Sequence, residues 1–291
     1  MEIYRQKTLE LIESTLQELT TFQESPFDRL HQAARYSLFS SGKRLRPLLV
    51  MATQQACGGQ EEMAIRSACA LEMVHTYSLI HDDLPCMDND DYRRGKPTLH
   101  KEYDEATAVL AGDFLLTYAF EVIATDSKLS DTKKSRLIAL LAKSSGNNGM
   151  IGGQMLDLIS ENTQVNIQTL KQIHCMKTGA LLNCSILFGA IISDVPDEIL
   201  FKLEHFGQCM GLAFQIVDDV LDVTASLEKK CRVISSDTAN QKSTYVSLLG
   251  LDGSKQAAQS LYKDALVTLD DIPISTQILK ELASYIIERS I

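Results

Sequence analysis

Tryptophan is absent from the 291-residue chain, and proline and glycine are sparse at 6 and 15 residues. Ala, Leu, Glu, Lys, Gln and Met recur instead, a composition that favours helix over sheet. Positive charge is also scarce: 28 Lys and Arg face 38 Asp and Glu, for a net charge of −10. That excess excludes nucleic acid and anionic membrane as general partners, so any anionic ligand needs a local basic pocket or bound cations. Cysteine pairs are missing as well. Cys57, Cys69, Cys86, Cys175, Cys184, Cys209 and Cys231 are odd in number, scattered and without a C-x-x-C motif, as free thiols of a reducing compartment are. The opening MEIYRQKTLELIESTLQEL has no apolar core of a signal peptide. No uncharged apolar run reaches the roughly 18 residues of a spanning helix. A cytoplasmic protein without membrane insertion is expected.

What is present is 45% hydrophobic content, ample for a core. Apolar residues at Leu9, Ile12, Leu16 and Leu19 fall at helical spacing. Helices are predicted over about 2–22, 28–40, 46–57, 61–83, 105–124, 130–143, 151–159, 167–192, 196–225, 244–249, 256–270 and 275–289. Gly58-Gly59 and the stretch 144–148 are breaks, while 228–242 reads as polar and irregular. No repeat and no low-complexity linker interrupts the chain, so a single all-α domain over residues 1–291 is expected.

Two acidic clusters stand out. Five aspartates occupy Asp82 to Asp91, after Glu72, His75, Leu79 and Asp82, which share one helix face by steps of three and four. Pro85 disfavours helical geometry at Leu84 and bends the chain so that Asp88 returns beside Asp82. In the second cluster, FQIVDDVLD at 214–222, Gln215, Asp218 or Asp219, and Asp222 line one stripe. Aspartates that repel one another on apolar helices need compensation. Mg²⁺, held by one or two carboxylates and by substrate phosphate oxygens, supplies it. A calcium loop starting at Asp88 fails, because its sixth position is Arg93 rather than glycine and its twelfth is Leu99 rather than glutamate. One acidic run is most simply a solvated helix end; two runs embedded in apolar helices are not.

Basic residues flank these clusters: Lys43, Arg44 and Arg46 before a helix, and Arg93, Arg94 and Lys96 after the first acidic run. The first group is not a nucleotide-type phosphate loop, since Ser37 stands where glycine is required and Arg44 follows the lysine. Guanidinium beside carboxylate suits a polyanion gripped by arginine on one side and metal on the other. Lys177, Thr178 and Lys242 add donors. His75 reads equally as a buried imidazole or a ligand contact.

These residues resemble the trans-isoprenyl diphosphate synthase family, in particular its bacterial farnesyl and geranylgeranyl members, over nearly the whole chain. SGKRLRP at 41–47, EMVHTYSLIHDDLPCMDNDDYRRGKPTLH at 72–100, AGD at 111–113, GGQMLDL at 152–158, KTGAL at 177–181, GLAFQIVDDVLDVT at 211–224 and KSTY at 242–245 stand in the family's order. The resemblance implies an all-helical isoprenoid-synthase bundle whose central cavity has aspartate-bearing walls, in a homodimer. It matches Asp82, Asp83 and Asp88 to the first acidic motif, and Asp218, Asp219 and Asp222 to the second. Three Mg²⁺ ions are implied, with Asp82, Asp83, Asp88, Asp218 and Asp222 as ligands. Lys43, Arg46, His75 and Arg94 would bind isopentenyl diphosphate; Arg93, Lys177, Thr178, Gln215 and Lys242 would hold the allylic diphosphate, with Gln154 and Asp157 near the metals. Lys230-Cys231-Arg232 departs from the family's leucine-glycine-lysine: Arg232 keeps a charge for the diphosphate, but Cys231 replaces a flexible glycine.

The implied catalytic set is Asp82, Asp83, Asp88, Arg93, Lys177 and Asp218. The implied reaction ionises the allylic diphosphate, adds the isopentenyl double bond to the carbocation and gives the proton to the released diphosphate, behind apolar walls that exclude water. Positions four and five before Asp82, Ser78 and Tyr77, lie roughly 6 to 7.5 Å below it on a helix. In the resembling family an aromatic there goes with the fifteen-carbon product, so farnesyl diphosphate is expected, with geranylgeranyl diphosphate the alternative. Two other functions compete: a non-catalytic subunit, which predicts damaged aspartate motifs, and a phosphohydrolase built on His81-Asp82, which wants more histidines than the 6 present.

Overall fold

The computed structural model describes residues 2–228 and 243–287; the side chains of 225–228 are not described. The contacts divide the chain into two compact units, one built from Glu2–Met51 and Gln60–Ile138, the other from Ala52–Gly59 and Ala139–Ile291. Lys230, Cys231, Arg232 and Lys242 lie outside the described residues.

The first unit holds α1 (Glu2–Leu19), α2 (Asp28–Leu38), the start of α3 (Leu45–Ala56), α4 (Glu61–Asp82), α5 (Leu99–Glu102), α6 (Glu105–Ala124) and the start of α7 (Asp131–Ser145). Helix α4 is buried on nearly every side, from Ala64 through Leu71, Met73 and Val74 to Ile80. Such all-round burial marks a central helix, each large apolar side chain contributing about 1.5–3 kcal/mol. Its main partner, α6, starts at Asp104, whose carboxylate accepts from the Thr107 amide at 2.7 Å, a cap of about 1 kcal/mol. Gly112 is dictated by packing: a Cβ there would stand 2.1 Å from Nε2 of His81.

The second unit holds the rest of α3 and α7, then α8 (Met150–Ile159), α9 (Ile167–His174), α10 (Ala180–Ile192), α11 (Asp197–Glu228), α12 (Tyr245–Asp270) and α13 (Gln277–Ile287). Helix α10 is buried at every position from Cys184 to Ile192 and is the apolar centre of this unit. Capping again follows from sequence. Asn166 accepts from the Thr169 amide, and Thr244 forms a capping box with Ser247.

Three expectations are corrected. The predicted continuous helix 167–192 is broken by a π-helical segment, Cys175–Gly179. The predicted helices 244–249 and 256–270 are separated only by the kink of α12 at Gly250, φ 72°, so the second begins directly after that glycine rather than at 256. A two-stranded hairpin, β1 (Tyr92–Arg93) and β2 (Lys96–Pro97), was not expected. Arg94 and Gly95 turn it with φ 52° and 79°, the all-positive geometry of a two-residue type I′ turn.

By length and mean hydropathy, Glu105–Ala124 and Ile167–Ile192 also qualify as membrane-spanning segments, and 67% of the second's most apolar window is buried within the protein. Core helices of this kind pass the same test.

Candidate active site

In the first unit the acidic run follows directly from the end of α4. The Asp88 amide donates to the Asp82 carbonyl at 2.9 Å and the Asn89 amide to the Leu84 carbonyl at 3.1 Å, so the chain after Pro85 does return, as the bend at Leu84 required. Asp82 and Asp88 are both half-buried. Asp83 points differently. It is 4% exposed and accepts from Nε of Arg93 at 2.6 Å, with Nη2 also 2.6 Å from the same oxygen. Burial pushes the Asp83 carboxyl up, and Arg93 partly offsets this.

One turn of α4 below Asp82, and two turns, lie Ser78 and His75. Burial first, then the charges of Arg46, Arg94, Arg93 and Arg44, hold the His75 imidazole well below its ordinary pKa of 6.5. Arg94 is likewise held low, chiefly by burial and by the neighbouring Arg44 and Arg93. The Arg94 guanidinium lies against Gly42, where a Cβ would be 2.6 Å from Nη1. Lys43, exposed, and Arg46, half-buried, come from the adjoining turn into α3. Arginines crowded round a neutral imidazole form a site for a polyanion.

Tyr77 is 5% exposed. Its ring stands edge-on to His81 at 5.6 Å and its hydroxyl is buried without a hydrogen-bond partner among the described residues. Burial, with the Asp82 charge, pushes its pKa up to about 12. Ser78 donates to the His75 carbonyl at 2.8 Å. His81 is committed to packing: its Nε2 lies 3.0 Å from the Val109 carbonyl. A small pocket lined by Thr76, Leu79, Ile80, Asp83 and Arg93 opens on another face of α4.

In the second unit the π-segment presents Lys177 and Thr178. Such segments interrupt α-helices frequently at functional sites, and here glycines explain its seat. A Cβ on Gly153 of α8 would be 2.2 Å from the Lys177 amide nitrogen, and one on Gly211 of α11 would be 2.8 Å from the Gly179 Cα. Both helices therefore pack backbone to backbone on the segment. Nζ of Lys177 donates to Asp157 at 2.7 Å. Gln154, on α8 between Gly153 and Asp157 in sequence, buries both amide atoms without a hydrogen-bond partner among the described residues.

The second acidic run separates by role. Asp218 accepts from Gln215 at 3.5 Å and is half-buried, and Asp222 is exposed. Asp219 turns away to accept from the Tyr245 amide at 2.7 Å and lies 3.3 Å from Nε2 of His174. His174 in turn stacks on Tyr245 with ring centroids 5.6 Å apart. A cavity of this unit, about 520 Å³ between Lys143, Met176, Asn183, His205 and Leu261, is not lined by Asp218 or Asp222.

Among the described residues no three His, Cys, Asp or Glu side chains make a metal cage by themselves. Two hard carboxylates per cluster and the orphaned amide of Gln154 nevertheless fit Mg²⁺, which is usually completed by water and substrate phosphate rather than by protein alone.

An all-α fold with carboxylates beside arginines and lysines is the architecture of a diphosphate-handling enzyme of the isoprenoid-synthase type. The chain belongs to the polyprenyl synthetase family, whose model matches residues 27–279. It is 50% identical over 265 residues to a farnesyl diphosphate synthase of Micrococcus luteus, covering 90% of each chain. With a farnesyl diphosphate synthase of Bacillus subtilis it shares 46% identity over 287 residues, 98% of this chain and 96% of the other. A geranyltransferase from Helicobacter pylori, solved with magnesium and isoprenyl diphosphate, superposes with a TM-score of 0.85 at 38% identity, covering 98% and 96% of the two chains.

Proposed function

We propose that the protein is a Mg²⁺-dependent prenyltransferase that condenses isopentenyl diphosphate with dimethylallyl or geranyl diphosphate to give farnesyl diphosphate. The observation that carries this reading is the ring of arginines round His75 on the helix that ends in Asp82. A cationic pocket and a carboxylate cluster on one helix serve two diphosphates: one held by cations alone, the other through carboxylate-bound metal. The farnesyl diphosphate synthases at 46% and 50% identity support the same product.

When bound, Mg²⁺, three ions in this reading, would neutralise charge gathering on the departing diphosphate. Asp82 and Asp88 of the first unit and Asp218 and Asp222 of the second would hold it, with Gln154 and Asp157 of the second unit as further polar groups. Asp83 serves by holding Arg93. Arg93, Lys177, Thr178 and Gln215 hold oxygens of the allylic diphosphate by charge-assisted and neutral hydrogen bonds. Lys43, Arg46, His75 and Arg94 hold isopentenyl diphosphate so that its double bond meets the allylic carbon as the C–O bond breaks. The new C–C bond forms, and the released diphosphate takes the proton that leaves. Tyr77 limits the product to fifteen carbons.

The chain is further proposed to act as a homodimer in the cytoplasm. Val109 and Leu110 on α6, 39% and 58% exposed, offer an apolar face for a second copy.

Incubation with labelled isopentenyl diphosphate and each allylic starter, with and without Mg²⁺, tests the activity. Farnesyl diphosphate formed only with Mg²⁺ is expected. Release of inorganic phosphate from nucleotides, with no prenyl product, would instead favour the phosphohydrolase.

A further inference from the structure

The SGKRLRP stretch carries three cations, and the functional reading uses two of them, Lys43 and Arg46. The third, Arg44, is buried at 4% exposure. All three of its guanidinium nitrogens are engaged within the protein: Nε donates to Glu13 at 2.7 Å, Nη1 to Glu72 at 2.9 Å and Nη2 to the Leu38 carbonyl at 2.6 Å. These partners come from α1, α4 and the end of α2. The backbone at Arg44 is left-handed, with φ 48°, a conformation that disfavours side chains other than glycine. Its carbonyl accepts from the Leu48 amide at 3.1 Å, so the strained residue also opens α3. Glu72 stands three residues before His75 on α4, and its side chain is 3% exposed.

We propose that Arg44 is a positioning residue for the isopentenyl diphosphate pocket. Its three-way tether holds the left-handed turn, and the turn sets Lys43 on one side and Arg46 on the other against His75 and Arg94. Glu72 is the buried anchor of this tether and Glu13 its outer one. Because every nitrogen of Arg44 is committed, it does not itself grip the diphosphate. Lysine cannot replace it: one ammonium lacks the planar fork that reaches three separately placed acceptors. The proposal rests on the assignment of Lys43, Arg46, His75 and Arg94 to isopentenyl diphosphate.

Steady-state kinetics with each substrate varied in turn provide the test. Arg44→Lys is expected to raise KM for isopentenyl diphosphate about tenfold, a loss of one strong contact, while KM for geranyl diphosphate stays within about twofold. Arg44→Gly relaxes the backbone and deletes the side chain; an unchanged KM there would show that the turn needs no tether and would overturn the proposal. Where that variant fails to fold, Glu13→Gln decides. Glu13 is 40% exposed, the buried Arg44–Glu72 pair survives, and a two- to fivefold rise confined to isopentenyl diphosphate is expected, in line with one weakened charge-assisted bond. Folded variants in which both KM values move together, or neither moves, overturn the positioning role while leaving the enzyme reading intact. A parent protein that makes no prenyl diphosphate defeats the enzyme reading itself.

Discussion

Gly153→Ala puts a single methyl group where α8 meets the π-segment, one turn before Asp157 on the same helix. The new Cβ would stand 2.2 Å from the Lys177 amide nitrogen, 2.7 Å from its Cα and 2.7 Å from the Met176 carbonyl carbon. All three are backbone atoms, so no rotamer change relieves the contact. To restore ordinary separation of 3.4 Å the two backbones must part by about 1.2 Å. Overpacking of this kind destabilises by about 1–3 kcal/mol, which lowers Tm by roughly 2–4 °C per kcal/mol in a chain of this size. The same movement carries Lys177 away from Asp157, now 2.7 Å distant. A 1 Å error in a group that positions substrate costs on the order of 10²-fold in rate. The expected result is therefore a folded protein with a modest loss of Tm and a kcat lower by about two orders of magnitude. Met155→Ala is the control, because Met155 lies on the same helix but is 58% exposed; it should leave both within error. A Gly153→Ala enzyme that keeps its kcat within twofold, although it melts earlier, would refute the idea that this backbone contact places Lys177.

Four further outcomes follow from particular side chains. His75 is held below its ordinary pKa of 6.5 in the folded protein, so folding stability is full above about pH 6.5 and is lost as the pH falls below it, by at most about 1.4 kcal/mol per unit. The stability difference between the parent and His75→Asn, from urea melts at several pH values, should shrink in that direction; a constant difference would remove the effect from His75. Asp219→Ala unpins the start of α12 and should cost about 1–3 kcal/mol with little change in the Mg²⁺ needed for half-maximal rate. Asp222→Asn should do the reverse, and paired thermal melts and Mg²⁺ titrations separate the two. Tyr77→Ala should shift the product beyond fifteen carbons on reversed-phase chromatography, and identical products from both proteins would show that the phenol does not end the chain.

Most helices were legible because each buries an apolar stripe longer than its end effects: the predicted bounds of α6 stand without change, and those of α3, α4 and α8 shift by a single residue at one or both ends. The bend that returns Asp88 to Asp82 was also legible, since proline restricts the residue before it whatever lies around it. The π-segment was not. Periodicity is blind to one extra residue in a helical turn, and the insertion is stabilised by Gly153 and Gly211, distant in sequence and recognisable only once a neighbour's backbone is seen. The same limit applies to Asp219. Adjacent aspartates are equivalent to a helical wheel until one finds the Tyr245 amide. The hairpin at 92–97 left a signal in the two-residue Arg94-Gly95 turn, but two-residue strands carry no alternation to read. Arg44 and Glu72 were hidden for another reason: a buried ion pair spells itself in sequence just as two surface charges do.

Backbone strain gives the cationic pocket its logic. The described non-glycine residues with positive φ are Arg44, Asn89, Arg94, Asn162 and Asp194. Asn and Asp adopt that conformation readily because a short polar side chain bonds locally. The two arginines have no such excuse, and the charges of both act on His75. Arg44 is held by three hydrogen bonds, and Arg94 by the antiparallel pairing of Arg93 with Lys96 on either side of its turn. Each loop is thus fixed by interactions that leave the cations crowded, and this crowding adds to burial, the larger cause, in depressing His75 and Arg94. Groups brought together against both strain and repulsion gain most from an anion carrying several charges, because it relieves every repulsion at once, whereas a monoanion relieves few. Selectivity for a diphosphate over a carboxylate is therefore built into the frame that carries the cations as much as into the cations themselves.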